Sequence, residues 1–232
     1  MANVAALGEI LIDFTYAGKS GSGRVLYEQN PGGAPANVLT AVVRQGGEGA
    51  LISCVGNDGF GRFLRDTIMD VGIDTVGIQV TEEAATTLAF VSLDESGDRS
   101  FTFCRKPGAD QLIREDRINT DIIGSCSIFH FGSLSLGRGP SRRAALFAAG
   151  YAREMGKTVS YDPNWREPLW PSVEEGVEGM LAGLKFADLL KLSLEELVLL
   201  SGNADLAAGC KKLMDEYPRL SLIVVTLGPD GC

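Results

Sequence analysis

Apolar runs of strand length alternate with stretches of helical apolar spacing through most of this chain. That order constrains the fold more than any other feature, because it requires a sheet joined by crossover helices. Residues 4–14 read as a first strand whose end carries Glu9 and Asp13, 50–55 as a second, and 61–71 as a helix closed by Gly72. Further strands are expected at 127–131, 158–161, 188–192 and 222–227, and helices at 142–155, 173–186, 194–200 and 206–217. Two stretches break the alternation. Residues 15–30 are polar and Gly-rich, and 86–105 has a hairpin pattern, with 88–93 and 100–105 flanking Glu95-Ser96-Gly97-Asp98. We read both as a small β-rich flap outside the main sheet. A chain of 232 residues fits one large domain or one domain with a small appendage.

The flap segment runs into Asn30-Pro31-Gly32-Gly33-Ala34-Pro35-Ala36-Asn37, followed by helical spacing at Val38, Leu39, Val42 and Val43. The Gly pair removes Cβ atoms that would block close approach, and a helix start presents free N–H groups to ligand oxygens. Asn37 adds an amide that both donates and accepts, which suits a polyol. Taken alone, the segment is better explained as a plain loop with helix-start signals.

The formal net charge of −9 argues against a nucleic-acid backbone as the main partner. No apolar stretch reaches membrane-spanning length, and Glu9 and Asp13 interrupt the N-terminal run, which therefore does not read as a secretory signal. Five cysteines without a C-x-x-C pair suggest neither a disulfide framework nor a zinc site, and a reducing cytoplasm is the simplest location.

In open α/β sheets, ligands sit beyond the carboxyl ends of the strands. The residues expected there are Asp13, Asp58, Gly132-Ser133, Asp162-Pro163-Asn164, Ser193 and Thr226 to Gly228. Carboxylates and amides suit a hydroxyl-rich ligand, whereas hydroxyls and Gly N–H groups suit phosphates, so carbohydrate plus nucleotide is the economical combination. Each residue also has a simpler explanation. Asp13 is a candidate turn former, and Arg105 and Arg166 are candidate surface ion-pairing groups. His130, the single histidine, lies between Phe129 and Phe131 and is expected to be a hydrogen-bonded core residue. Gly18-Lys19-Ser20 mimics the end of a P-loop but lacks its first Gly, since position 13 is Asp, and Gly56, Gly59 and Gly61 have the wrong spacing for a dinucleotide fingerprint.

Six motifs in order resemble the ribokinase-type (PfkB) carbohydrate kinases, and most closely their fructokinase branch. They are Gly8-Glu9 with Asp13, Pro31 to Asn37, Val55-Gly56-Asn57-Asp58 with Gly61, Asp162-Pro163-Asn164-Trp165-Arg166 with Leu169-Trp170, Lys191-Leu192-Ser193 with Glu196, and Val225-Thr226-Leu227-Gly228 with Gly231. The resemblance spans the whole chain as one domain, residues 1–232. It implies a ribokinase-like three-layer α/β/α sandwich with a mostly parallel, Rossmann-like sheet and a small β-sheet lid at about 15–30 and 86–105. It further implies transfer of the ATP γ-phosphoryl group, with Mg2+, to a sugar's primary hydroxyl.

By that resemblance Asp13, Gly32, Gly33, Asn37, Arg105, Asp162 and Arg166 belong to the sugar side, with the Gly pair as a hinge for lid closure. Asn164, Lys191, Ser193, Glu196, Thr226, Gly228 and Gly231 belong to the nucleotide side, with Glu196 reaching the magnesium through water. Ser193 stands where many members have Asn. The family's catalytic Gly-Ala-Gly-Asp stretch, which carries the general base, is expected beyond Cys232, so the C-terminal part of the fold is missing and this polypeptide is expected to be inactive or nearly so. The partners implied are a sugar and ATP, with a homodimer through the lid as a further possibility. The other functions considered are a non-catalytic sugar-binding pseudokinase and a kinase for 2-keto-3-deoxygluconate or ribose.

Overall fold

The computed structural model describes residues 3–93 and 99–232. The chain opens with β1 (Val4–Leu7), β2 (Leu11–Lys19), β3 (Val25–Gly32), α1 (Ala34–Arg44), β4 (Gly49–Gly56), α2 (Gly59–Val71) and β5 (Ile78–Thr81). It continues with β6 (Leu88–Leu93), β7 (Arg99–Cys104), α3 (Thr120–Ser125), β8 (Ile128–Gly132), α4 (Pro140–Glu154), β9 (Thr158–Asp162) and α5 (Val173–Leu184). The last elements are β10 (Leu189–Ser193), α6 (Leu194–Ser201), α7 (Leu206–Glu216) and β11 (Leu222–Thr226).

The strands form two sheets. Seven run parallel in the order β11-β10-β9-β8-β1-β4-β5. The other four make the lid, in the order β3-β2-β6-β7. Successive strand residues point to opposite faces, and the core divides accordingly. Val4, Ala6 and Leu51 pack with Leu39 of α1 and with Leu64 and Ile68 of α2. Ala5, Leu7, Ile52, Phe129, Phe131 and Tyr161 pack on the other face with Ile123 of α3, the alanine stripe Ala144, Ala145, Ala148 and Ala152 of α4, and Met180 and Leu184 of α5. The expected helix-flanked parallel sheet with a lid is therefore present.

Residues 4–14 are not one strand. The chain leaves the large sheet after Leu7, and Asp13 sits three residues into β2, a lid strand. The lid accordingly begins at Leu11, ahead of the expected 15–30 segment. Within the second expected lid segment, β6 and β7 pair antiparallel with Leu88 opposite Cys104. Its predicted turn, Glu95-Ser96-Gly97-Asp98, lies outside the described residues. Two elements escaped the sequence pattern. They are β5, a four-residue edge strand, and α3, a six-residue helix too short to show periodicity.

His130 is buried and its Nδ1 lies 3.0 Å from Ser160 Oγ, as expected of a core histidine. Burial, with Lys191 nearby, lowers its pKa to about 4, so the ring is neutral at physiological pH. Among the described residues, no helix is long and apolar enough to cross a membrane.

Candidate active site

All seven strands of the large sheet are parallel, so their carboxyl ends share one edge. The chain moves outward from β1 to β4 and β5, then returns to β8 on the other side of β1. This reversal is where open α/β sheets place their ligands. Two polar clusters occupy that edge.

The first cluster lies at the lid junction. β2 and β3 pair with Leu11 opposite Gly32 and Asp13 opposite Asn30. The Asp13 carboxylate rests against Gly32, where a Cβ would overlap Oδ2. Asp13 is half-buried, and that burial raises its pKa. Gly33 is the N-cap of α1 with φ 115° and ψ 124°, a conformation that side chains avoid, and a Cβ there would run into the Glu9 carbonyl. Asn37 follows one turn into α1 and is exposed. It lines a cleft of about 290 Å³ together with Gly32, Ile10 and Thr40. The helix start is not wholly free for ligand, as the sequence pattern implied. The Ala34 N–H is held by Glu9 Oε1 at 3.0 Å.

Arg105 follows β7 at the lid's exit and is tied down. Its guanidinium makes two bonds to Asp110 Oδ2, at 2.9 Å from Nε and 2.6 Å from Nη2, and Nη2 also donates to the Leu134 carbonyl at 3.1 Å. Both partners of this ion pair are almost fully buried. Thr87 Oγ1 donates to the other Asp110 oxygen, linking the entry of β6 to the exit of β7. Arg105 also lines a small cavity with Leu134, Arg138 and Trp170, so it is not the surface ion-pairing group considered from sequence. Asp58 ties the approach to β6 in another way. It accepts from Gly61 N at 2.8 Å as the α2 N-cap, and from Thr86 N and Oγ1, both at 2.8 Å. Burial alone would raise its pKa, but these donors bring it below the ordinary aspartate value.

The second cluster spans the ends of β9, β10 and β11. Lys191 Nζ lies 3.2 Å from Asp162 Oδ2. Burial raises the Asp162 pKa, and Lys191 offsets part of that rise. Asn164 has a left-handed φ of 49°, which Asn tolerates, and its N–H bonds Asp162 Oδ1 at 3.1 Å. Ser193 and Glu196 form a capping box on α6, with Glu196 N donating to Ser193 Oγ at 3.1 Å and Ser193 N donating to Glu196 Oε2 at 2.6 Å. The other Glu196 oxygen accepts from Trp165 N at 2.6 Å. Thr226 pairs in register with Ser193, and its hydroxyl donates to the Leu192 carbonyl at 3.2 Å. Gly228 and Gly231 lie in the exposed turn that follows, closed by Leu227 N to Gly231 O at 2.7 Å, as the turn signal predicts. Arg166 donates to the carbonyl of its neighbour Trp165 at 2.7 Å.

The exit of β8 joins the clusters. Ser133 donates from both its N–H and its hydroxyl to the Pro163 carbonyl, one residue before Asn164, while the next residue, Leu134, receives Arg105. With strands spaced about 4.8 Å apart, β1 and β9 are roughly 10 Å apart across the sheet. Sequence reasoning missed Asp110 entirely, although it stands five residues after an arginine it could reach. Glu9 was noticed as part of a motif but given no partner.

Several relatives share this architecture. The profile of the pfkB family carbohydrate kinases matches residues 1–232. The chain is 43% identical to a probable fructokinase-3 of Arabidopsis thaliana over 99% of its own length and 67% of that protein's. A crystal structure of fructokinase from Xylella fastidiosa superposes with a TM-score of 0.87 at 36% identity, covering 97% of this chain and 70% of that one. A fructokinase from Vibrio cholerae O395, solved with fructose, ADP and calcium ion bound, gives 0.85 at 35% identity over 98% and 71%. With the family profile matching all 232 residues and relatives at this identity, the chain belongs to the pfkB family of carbohydrate kinases, which are sugar-phosphorylating transferases.

Proposed function

We propose that this chain carries the sugar and nucleotide sites of a fructokinase, which transfers the ATP γ-phosphoryl group to the primary hydroxyl of fructose. The observation that carries this reading is the pair of clusters at one sheet edge. At the lid junction the Asp13 carboxylate rests against Gly32, and Gly32 also lines the cleft that holds the Asn37 amide, while the second cluster brings a lysine, hydroxyls and turn glycines suited to a polyphosphate. Asp13 and Asn37 hold sugar hydroxyls over Gly32 and Gly33, with Arg105 and Arg166 bounding the sugar side. Asn164, Lys191, Ser193 and Thr226 face the phosphates, and Gly228 and Gly231 border the nucleotide.

Among the described residues, no group of three or more His, Cys, Asp or Glu side chains is arranged to hold a metal ion. That fits Mg2+, which keeps its waters and binds largely through substrate phosphates. When bound, the ion neutralises phosphate charge. Both Glu196 oxygens already hold backbone N–H groups, so Glu196 would meet the ion through water, whereas Asp162 keeps 19% of its side chain exposed beside Lys191. The 232 residues do not contain the Gly-Ala-Gly-Asp stretch that the resemblance expects to supply the general base, so the proposal concerns binding of the two substrates.

Calorimetric titration with fructose, glucose, ribose and 2-keto-3-deoxygluconate tests the assignment, alongside ADP release from ATP and magnesium. The expected result is tightest binding of fructose. Tighter binding of another sugar would reassign the acceptor, and brisk turnover would move the base into this chain. Replacing Asp13 with Ala should weaken fructose binding about 10–100-fold, since sugar hydroxyls then lose a charged partner, and leave nucleotide affinity unchanged. Equal loss of both ligands would remove Asp13 from the sugar site.

A further inference from the structure

Glu9 belongs to neither cluster as a ligand group, yet it is 3% exposed at the point where the chain passes from the large sheet into the lid. Two connectors meet there, residues 8–10 entering β2 and residues 33–35 leaving β3. They face each other pairwise. Gly8 lies against Pro35, where a Cβ would stand 2.6 Å from the ring Cγ. Glu9 Oε1 holds the Ala34 N–H at 3.0 Å. The Ile10 Cα lies 3.0 Å from where a Gly33 Cβ would be. The β2–β3 ladder then starts with Leu11 opposite Gly32. The strand pairing is thus continued past its last rung, with one carboxylate bond in place of a backbone rung.

We propose that Glu9 is a positioning residue for sugar binding, clamping the first turn of α1 to the connector that starts β2 and so fixing Asn37 relative to Asp13. The two proposed sugar ligands sit on different elements in different layers, and this clamp spans the junction between them. The proposal rests on the reading of Asp13 and Asn37 as sugar ligands. The bond needs an acceptor more than a charge. Burial lifts the Glu9 pKa to about 7, with its own backbone N–H, the Ala34 N–H and Arg105 pulling against that rise and Asp110 adding to it. A carbonyl oxygen in the same place would serve Ala34 equally well.

The test compares Glu9→Ala and Glu9→Gln in the full chain by fructose and ADP titration, with amide hydrogen exchange read over residues 33–38. Glu9→Ala should weaken fructose binding about 10-fold or more, keep ADP affinity within about two-fold, and speed exchange at 33–38. Glu9→Gln should restore both fructose affinity, to within about three-fold, and slow exchange. A purely structural role would weaken both ligands together. Fructose affinity in Glu9→Ala equal to wild type, or equal loss of both ligands, would overturn the clamp alone. Failure of the wild-type chain to bind fructose would instead overturn the sugar reading on which it rests. If Glu9→Ala does not fold, Glu9→Gln decides: fructose affinity lost by ten-fold or more despite the retained acceptor would overturn the proposal.

Discussion

Replacing Gly33 with Ala is expected to lower the thermal midpoint by about 8–16 °C, the equivalent of about 4 kcal/mol in a chain of this size, and to remove sugar binding. Two costs combine. At φ 115° a side chain is in a region that is sparsely populated for any residue but glycine, a strain of about 1–3 kcal/mol. The new Cβ would also overlap the Glu9 carbonyl, which is backbone and cannot rotate away. Relief requires the two connectors to separate, which carries α1 and Asn37 away from Asp13. Gly32→Ala is a useful contrast, since its Cβ meets the movable Asp13 carboxylate. It should cost less stability while still displacing a proposed sugar ligand. Differential scanning calorimetry with fructose titration separates the two, and a Gly33→Ala midpoint within 2 °C of wild type would refute the argument.

Replacing Glu196 with Ala should cost about 3–5 kcal/mol and abolish nucleotide binding while sparing fructose in whatever fraction stays folded. The carboxylate is 4% exposed and accepts from two backbone N–H groups on different loops, Trp165 after β9 and Ser193 at the start of α6. Truncation leaves both N–H groups without this acceptor in a buried site, at about 1–3 kcal/mol each. It also releases the capping box and the loop that carries Asn164 in its left-handed turn. Glu196→Gln keeps one carbonyl but turns an amide donor toward the other N–H, so it should recover only part of the loss. A denaturation midpoint unchanged in Glu196→Ala would show that the loops do not depend on it.

The sequence made the large sheet readable for a physical reason. Parallel strands buried on both faces appear as continuous apolar runs, such as Ile128–Gly132, and amphipathic helices separate them. The same property hid the break after Leu7, because Ile10, Leu11 and Ile12 continue the apolar run while the chain changes sheets. Strand-end residues such as Asp162 and Ser193 could be listed without coordinates, since parallel strands end at one edge. Their partners could not. Which oxygen Arg105 faces, or that Glu9 serves Ala34, depends on segments brought together from 5 to 29 residues apart.

The lid's central pairing carries a consequence for the order in which the molecule assembles. β2 and β6 run parallel, with Ile12 opposite Leu88, and between them in the chain lie β3, α1, β4, α2 and β5. The β2–β3 hairpin is local and can close within microseconds of collapse. Its joining to β6 must close a long loop, which becomes favourable only once the intervening elements are compact. The lid therefore matures after the first part of the large sheet, and in pulse-labelled refolding its β2–β6 amides should gain protection after those of β1 and β4.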